Sequence, residues 1–298
     1  MEDFEFVEID LDSYGVVVPP KNDKIALIDA DTLAYTACLA SEEAVDVLPK
    51  EFYTEMEWDS IINNPSYDAD KGIIYNMNLP AALNVAEDKL KRILDNTGCI
   101  DCELHFTIGR ANFRYKLSSS YKSGRTGRMP AGLYETKKAL LSKYNGQMHS
   151  EWEADDYVVY AMKAYPSKYI LVAMDKDVYN SIPGKHYNYY ESAQFNKSMS
   201  WIEISEDTAK VWPYIQTLTG DATDNVLGIK GIGPAKAAKL VKADMSEAEL
   251  WKAVTNAWEK AGMTSIDAIL TMNLVNMHLL EEVDGKLQIK YWMPKEEE

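Results

Sequence analysis

Lys24-Ile25-Ala26-Leu27-Ile28-Asp29-Ala30-Asp31 and Tyr169-Ile170-Leu171-Val172-Ala173-Met174-Asp175-Lys176-Asp177 are built alike. Each is a short apolar run without alternation that ends on two aspartates one residue apart. A run of this kind suits a strand buried on both faces, the usual state of a strand in a parallel sheet. Helical spacing follows the first run through Leu33, Ala37 and Leu39, and recurs at Leu83, Ala86, Leu90 and Ile93. Residues 103–108 alternate like a strand. Helices are expected over 133–144, 151–164 and 213–219, and a glycine-rich turn leads into a helix over 228–241. Residues 41–80, with Pro49, Pro65 and Pro80, read as a long connection with limited helix. Strands alternating with helices place the chain in the α/β class, a mainly parallel sheet with helices on both faces. Ligands of such sheets gather beyond the carboxyl ends of the strands, where both aspartate pairs lie.

The bulk composition fits a folded soluble protein: 298 residues, 46% apolar, with a net charge of −16. No apolar run approaches the roughly 18 residues of a membrane span. The acidic start lacks the basic and apolar regions of a signal peptide. Three cysteines, Cys38, Cys99 and Cys102, are too few for a disulfide framework, and Cys99-x-x-Cys102 has no second pair at zinc spacing. A cytoplasmic setting is expected, the host cytoplasm if the chain is phage-encoded. The negative total hides a basic stretch. Between Arg110 and Lys143 nine Lys/Arg face one acid, Glu135, so that segment carries +8 and the remainder −24. A polyanion responds to such a local surface more than to the total.

Four acidic clusters stand at element ends: Asp29 with Asp31; Glu153, Asp155 and Asp156; Asp175 with Asp177; Asp221 with Asp224. Singly, each has a plain explanation, because acids at helix N-termini complement the macrodipole. A calcium loop fails at Asp175, whose fifth, sixth and twelfth positions are Tyr179, Asn180 and His186. Together they suggest more. Carboxylates converging on one cleft repel unless hard cations neutralise them, and two such ions about 4 Å apart can drive phosphoryl displacement. The four histidines show no metal-ligand spacing, and no P-loop, dinucleotide or serine-hydrolase motif is present.

Leu227-Gly228-Ile229-Lys230-Gly231-Ile232-Gly233-Pro234-Ala235-Lys236 reads as a helix-hairpin-helix turn. Glycines allow close backbone approach to a phosphate, the following helix aims free N–H groups at it, and Pro234 suits that helix's first turn. With Lys230, Lys236, Lys239 and Lys242 nearby, the turn is expected to grip backbone without reading bases.

These motifs, in this order, resemble the flap endonuclease / 5′-nuclease family. They are Ile28-Asp29 at a strand end, Glu153-Ala154-Asp155-Asp156, Asp175-Lys176-Asp177, and Gly220-Asp221-Ala222-Thr223-Asp224-Asn225 running into the glycine turn. Phe113-Arg114 followed by Tyr121-Lys122-Ser123-Gly124-Arg125 is similar to the family's helical arch, and the size and C-terminal stretch are similar to a phage 5′-exonuclease. The resemblance spans roughly residues 24–242. It implies an acidic extension over 1–23, a PIN-like core over 24–212 with a basic arch over 110–143, and a hairpin subdomain with the C-terminal region over 213–298. It further implies two or more Mg²⁺ or Mn²⁺ ions held by Asp29, Glu153, Asp155, Asp156, Asp175, Asp177, Asp221 and Asp224. Lys122 and Arg125 would act on the scissile phosphate, with Asp29 and Asp155 as the central catalytic acids. DNA would be contacted by Arg114, Tyr121, Lys122, Arg125, Arg128, Gly228, Lys230, Gly231, Gly233 and Lys236, with K⁺ a further candidate at the hairpin turn.

The implied activity is 5′→3′ exonucleolytic or flap-endonucleolytic hydrolysis of DNA, in phage DNA replication or primer removal. The implied partners are duplex, flapped or 5′-ended DNA, or RNA primers on DNA, acted on by a monomer with no membrane association. Thr107 departs from the pattern, standing where relatives often have an Asp; Asp31 is a candidate to compensate. Two alternatives remain at this point, a PIN-type ribonuclease and a DNA-binding factor with weak catalysis.

Overall fold

The computed structural model describes residues 20–125 and 127–295. Most of the acidic stretch expected over 1–23 lies outside these residues, as do Thr126 and the terminal Glu296-Glu297-Glu298. Asn22, near the end of that stretch, is tied to the body: its N–H donates to the Gly98 carbonyl (2.9 Å) and its side-chain amide to Thr97 (3.0 Å).

A six-stranded sheet forms the centre. In chain order its strands are β1 (Ile25–Asp29), β5 (Asp101–Thr107), β6 (Asn145–His149), β7 (Tyr169–Val172), β8 (Gly184–Asn188) and β9 (Ser200–Ile204). Their spatial order is β6-β5-β1-β7-β8-β9, parallel throughout except for the antiparallel edge strand β9. The two apolar runs that opened the sequence reading are therefore adjacent, β1 beside β7. Alternate side chains of β1 serve opposite faces. Ala26 and Ile28 join a core with α1 (Asp31–Ser41), α3 (Leu79–Thr97) and α5 (Leu133–Leu141), while Leu27 packs with α6 (Ala154–Ala164). Helices on both faces bury the sheet, as the unalternating runs require.

Local chemistry sets the element ends. Asn78 caps α3 by accepting from Ala81 N–H, Pro80 occupies its first turn, and Gly98 closes it at φ 71°. At α6 the cap is Glu153, paired in a reciprocal capping box with Asp156.

Residues 41–80 differ from expectation. They form a three-stranded antiparallel sheet, β2 (Glu43–Asp46), β4 (Ile73–Asn76) and β3 (Tyr67–Asp68) in spatial order, with α2 (Glu55–Ile62) between β2 and β3. Among the described residues none from 43 to 81 is buried, so no apolar alternation marked these strands in the sequence.

After the sheet, α8 (Glu206–Thr219) carries Pro213 inside it and runs across the boundary expected at 212/213. It packs with α9 (Pro234–Leu240), α10 (Glu247–Lys260) and α11 (Ser265–Val275) around Leu218, Val254, Trp258 and Met272. A hairpin of β10 (Leu280–Val283) and β11 (Lys286–Ile289) follows. No helix among the described residues is long and apolar enough to cross a membrane.

Candidate active site

Four chain segments deliver carboxylates to one place. Asp29 ends β1, Glu153 and Asp155 open α6, Asp175 and Asp177 follow β7, and Asp221 and Asp224 follow α8. All but Asp29 line a pocket of about 120 Å³. Asp29 lies beneath it, 5% exposed, near enough to Asp155 and Asp175 for their charges to act on it. The short helix α4 (Phe113–Leu117) leads into the basic segment, which folds down as a side of the pocket. Lys122 Nζ lies 2.6 Å from Glu153 Oε1 and 3.5 Å from Asp224 Oδ2, Arg125 reaches Asp224 Oδ1 at 2.5 Å, and Tyr121 Oη lies 2.8 Å from Glu153 Oε2 and 3.0 Å from Asp224 Oδ2.

The acids divide electrostatically. Burial, then the charges of Asp31 and Asp175, push Asp29 up to about 8. Asp155 is also raised, by burial and then by Asp29 and Glu153. Burial and Asp175 take Asp177 up to about 6. Glu153 goes the other way: burial opposes its charge, but Lys122 and Arg114 outweigh burial and hold it below the usual range. One half of the pocket is thus matched by the protein's own cations, while in the other half burial and neighbouring carboxylates disfavour the charged form.

That second half fits a divalent cation. Its donors are all hard oxygens. Among the described residues the buried Asp177 Oδ1 has no hydrogen-bond partner, with Lys176 Nζ at 3.3 Å to offset its charge. Among the described residues no three His, Cys, Asp or Glu side chains already stand at ligand distance around one point. The acids converge without closing into a cage, and ion pairs to Lys122, Arg125 and Lys176 hold three of them.

A second, larger pocket of about 450 Å³ adjoins the first and shares Lys122, Arg125 and Glu153 with it. Its further lining includes Arg110, Arg128, Lys137, Tyr35 and Tyr115. Arg128 forks onto Glu42, just before β2, and lies 3.5 Å from the centre of the Tyr75 ring in β4, so the basic segment is anchored to the 43–76 sheet. The glycine turn stands after the acid loop. Lys230 and Lys236 are exposed, and the missing Cβ positions of Gly231 (φ +83°) and Gly233 face open space.

No family model matches the chain. Among curated proteins it is 29% identical over 172 residues to the flap endonuclease Xni of Shewanella frigidimarina, covering 54% of this chain and 66% of that one. It is 26% identical over 237 residues to DNA polymerase I of Deinococcus radiodurans, covering 75% of this chain and 21% of that one. In fold it is similar to the T5 D15 protein co-crystallised with metal ions (TM-score 0.52, 13% identity, 66% of this chain and 83% of that one). It is likewise similar to T5 5′-exonuclease with bound zinc (TM-score 0.56, 11% identity, 86% and 90%). In sequence the chain is thus similar to flap endonucleases, and in fold to 5′-nucleases. It spans about two thirds of the length of the Shewanella relative and about a fifth of the polymerase.

Several residues that the family pattern singled out do other work here. Asp156, expected among the metal ligands, is fully buried, with both oxygens on Arg114 (2.6 and 2.7 Å) and one also accepting from Glu153 N–H (3.0 Å). Arg114, expected on DNA, is 2% exposed and also donates to the Leu274 and Asn276 carbonyls. This closed pair ties α4 to α6 and to the end of α11. Tyr121, expected on DNA, is buried between two acids. Gly228 is packed inward as well: a Cβ there would meet the Thr219 backbone at 2.1 Å and Gly220 N at 2.3 Å. Thr107 caps the site instead of adding charge, its Oγ1 accepting from Ala154 N–H (2.9 Å) at the start of α6. Asp31 does not turn into the acid pocket; it pairs with Lys137 (2.5 Å) and accepts from Thr107 N–H. Asn112 was not anticipated. It caps α4 and donates to Glu153 Oε1 (3.1 Å), and a lone Asn offers no spacing from which this could be read.

Proposed function

We propose that this chain is a divalent-metal-dependent nuclease that hydrolyses DNA phosphodiesters at or near 5′ ends, as an exonuclease or a flap endonuclease. The observation that carries the reading is the meeting of Glu153, Asp155, Asp175, Asp177, Asp221 and Asp224, with Asp29 beneath them, in one pocket whose wall is Lys122 and Arg125. A pure DNA-binding surface gains nothing from a dense negative pocket beside its cations. Mg²⁺ or Mn²⁺ held there would supply a water of lowered pKa and neutralise charge on the leaving oxygen. Asp29, Asp155, Asp175 and Asp177 would be principal holders, joined by Glu153 and Asp224 where these give up Lys122, with Asp221 at the pocket's far side.

The chain's own residues do the rest. Lys122 and Arg125, each reaching both pockets, would neutralise the non-bridging oxygens of the scissile phosphate as charge builds on them. Gly231, Gly233, Lys230 and Lys236 would hold duplex backbone without base specificity, with K⁺ a candidate occupant of the same turn. The basic pocket would receive the 5′-ended strand. On this reading the protein works in phage DNA replication or primer removal, and RNA primers on DNA are a second substrate to compare.

The test is cleavage of a labelled 5′-flap DNA with and without Mg²⁺, by the parent chain and by Asp155→Asn. Turnover should fall at least about 100-fold in the variant, because even partners of metal ligands cost about 10–100-fold when removed. Affinity for the uncleaved flap should change little. Undiminished cutting by Asp155→Asn would sink the assignment.

A further inference from the structure

We propose that Lys122 is an internal counter-ion that holds the basic segment shut over the Glu153–Asp224 pair, and that a divalent cation takes its place, so that filling the pocket and releasing the segment are one event. The proposal rests on the metal-dependent reading above and deepens it.

The geometry is that of an ammonium seated where a metal ion would sit. Lys122 Nζ is 2.6 Å from Glu153 Oε1 and 3.5 Å from Asp224 Oδ2, and its side chain is 13% exposed. Its charge is further favoured there by Asp155. The backbone is committed to this placement. Lys122 has φ +55°, a region that residues with a Cβ seldom enter, and its N–H donates to the Asp224 carbonyl at 2.8 Å. Neighbours complete the closure: Asn225 Nδ2 donates to the Ser120 carbonyl (3.0 Å) and Ser123 Oγ (2.9 Å).

All four oxygens of the two acids are engaged by Asn112, Tyr121, Lys122 and Arg125. A cation ligated by Glu153 Oε1 must displace Asn112 or Lys122, which together fill that oxygen's two lone pairs. A second positive charge cannot share the space of the ammonium without strong repulsion. The displaced Lys122 has somewhere to go, since it also lines the basic pocket, where a phosphate would receive it. Closed, the segment holds the Lys122 charge on the two acids; opened, it frees that charge for DNA.

The experiment uses the full chain and Mn²⁺ alone. Mn²⁺ affinity, by paramagnetic resonance of the free ion, is compared for the parent, Lys122→Met and Lys122→Arg, with amide hydrogen exchange followed over residues 118–125. Lys122→Met should bind Mn²⁺ at least about tenfold more tightly, the worth of one charge-assisted hydrogen bond no longer in competition. Lys122→Arg, which keeps the charge, should stay near the parent. In the parent, Mn²⁺ should accelerate exchange over 118–125; in Lys122→Met that exchange should be fast without metal. Equal Mn²⁺ affinities for parent and Lys122→Met, or a segment whose exchange ignores bound Mn²⁺, would overturn the exchange of cations while leaving the nuclease reading standing. Absence of Mn²⁺ binding in every form would remove both. If Lys122→Met does not fold, exchange in the parent with and without Mn²⁺ decides alone.

Discussion

The two pockets meet at a common wall, yet they solve opposite electrostatic problems. The acid pocket is small, about 120 Å³, and gathers like charges that resist being together; the basic pocket is nearly four times larger, about 450 Å³, and much of its charge is already matched. Lys137 is paired to Asp31 and Arg128 to Glu42, whereas among the described residues neither Asp29 nor Asp155 forms an ion pair. The small pocket is therefore poised to take up positive charge, and the large one can accept a polyanion chiefly through the cations on the shared wall.

The sharpest way to break this contrast is Asp29→Asn. Turnover should drop by at least about 100-fold, on the same grounds as for Asp155. Stability without metal should move the other way. Asp29 is raised to about 8 in the fold against about 3.9 in an unfolded chain, so between these values the folded state binds more protons. Its contribution is favourable at low pH and is lost as pH rises toward 8. Asn removes that loss, and the metal-free variant should melt higher than the parent at pH 8, with the gap closing toward pH 4. A variant that melts lower at pH 8 would show that Asp29 is not under the strain described.

Next in size is the closed pair behind the wall. Arg114→Met leaves Asp156 buried and unpaired, which should cost about 3–5 kcal/mol in denaturant unfolding. A cost near zero would mean that Asp156 is hydrated, and would return it to the candidate metal ligands. The smallest effect concerns DNA affinity at varied salt. Arg125→Gln should lower the slope of log affinity against log salt by about 1, the signature of one lost phosphate contact. Arg128→Gln, whose charge Glu42 already meets, should change it less. Equal changes would erase the distinction between shared and matched cations.

The sequence disclosed the placement of the acids better than their duties. Asp29 and Asp175 were legible because a short unalternating apolar run, too brief for a helix and ending in Asp, suits an inner parallel strand with a polar outlet. Asp156 was misjudged because spacing of three puts it on the same helix face as Glu153, while its partner Arg114 lies 42 residues earlier and only the folded chain brings them together. The 43–76 sheet escaped notice for the opposite reason, since strands that bury nothing leave no periodicity to read. Gly228 looked like part of the phosphate grip because it shares a motif with Gly231 and Gly233. The direction in which a glycine lacks its side chain is invisible in sequence, and at Gly228 that direction is inward.

Gly228 joins two parts of the molecule. Its backbone and that of Gly220 lie too close for any side chain, Ile229 N–H reaches back to the Leu218 carbonyl, and Asp221 and Val226 close the intervening loop by a reciprocal pair of hydrogen bonds. The loop bearing Asp221 and Asp224 and the turn bearing Gly231 and Gly233 are thus welded rather than tethered. On the proposed reading, strand tension on the outer turn would reach the acids with little slack to absorb it, so the grip on a duplex and the aim of two carboxylates would move as one rocker.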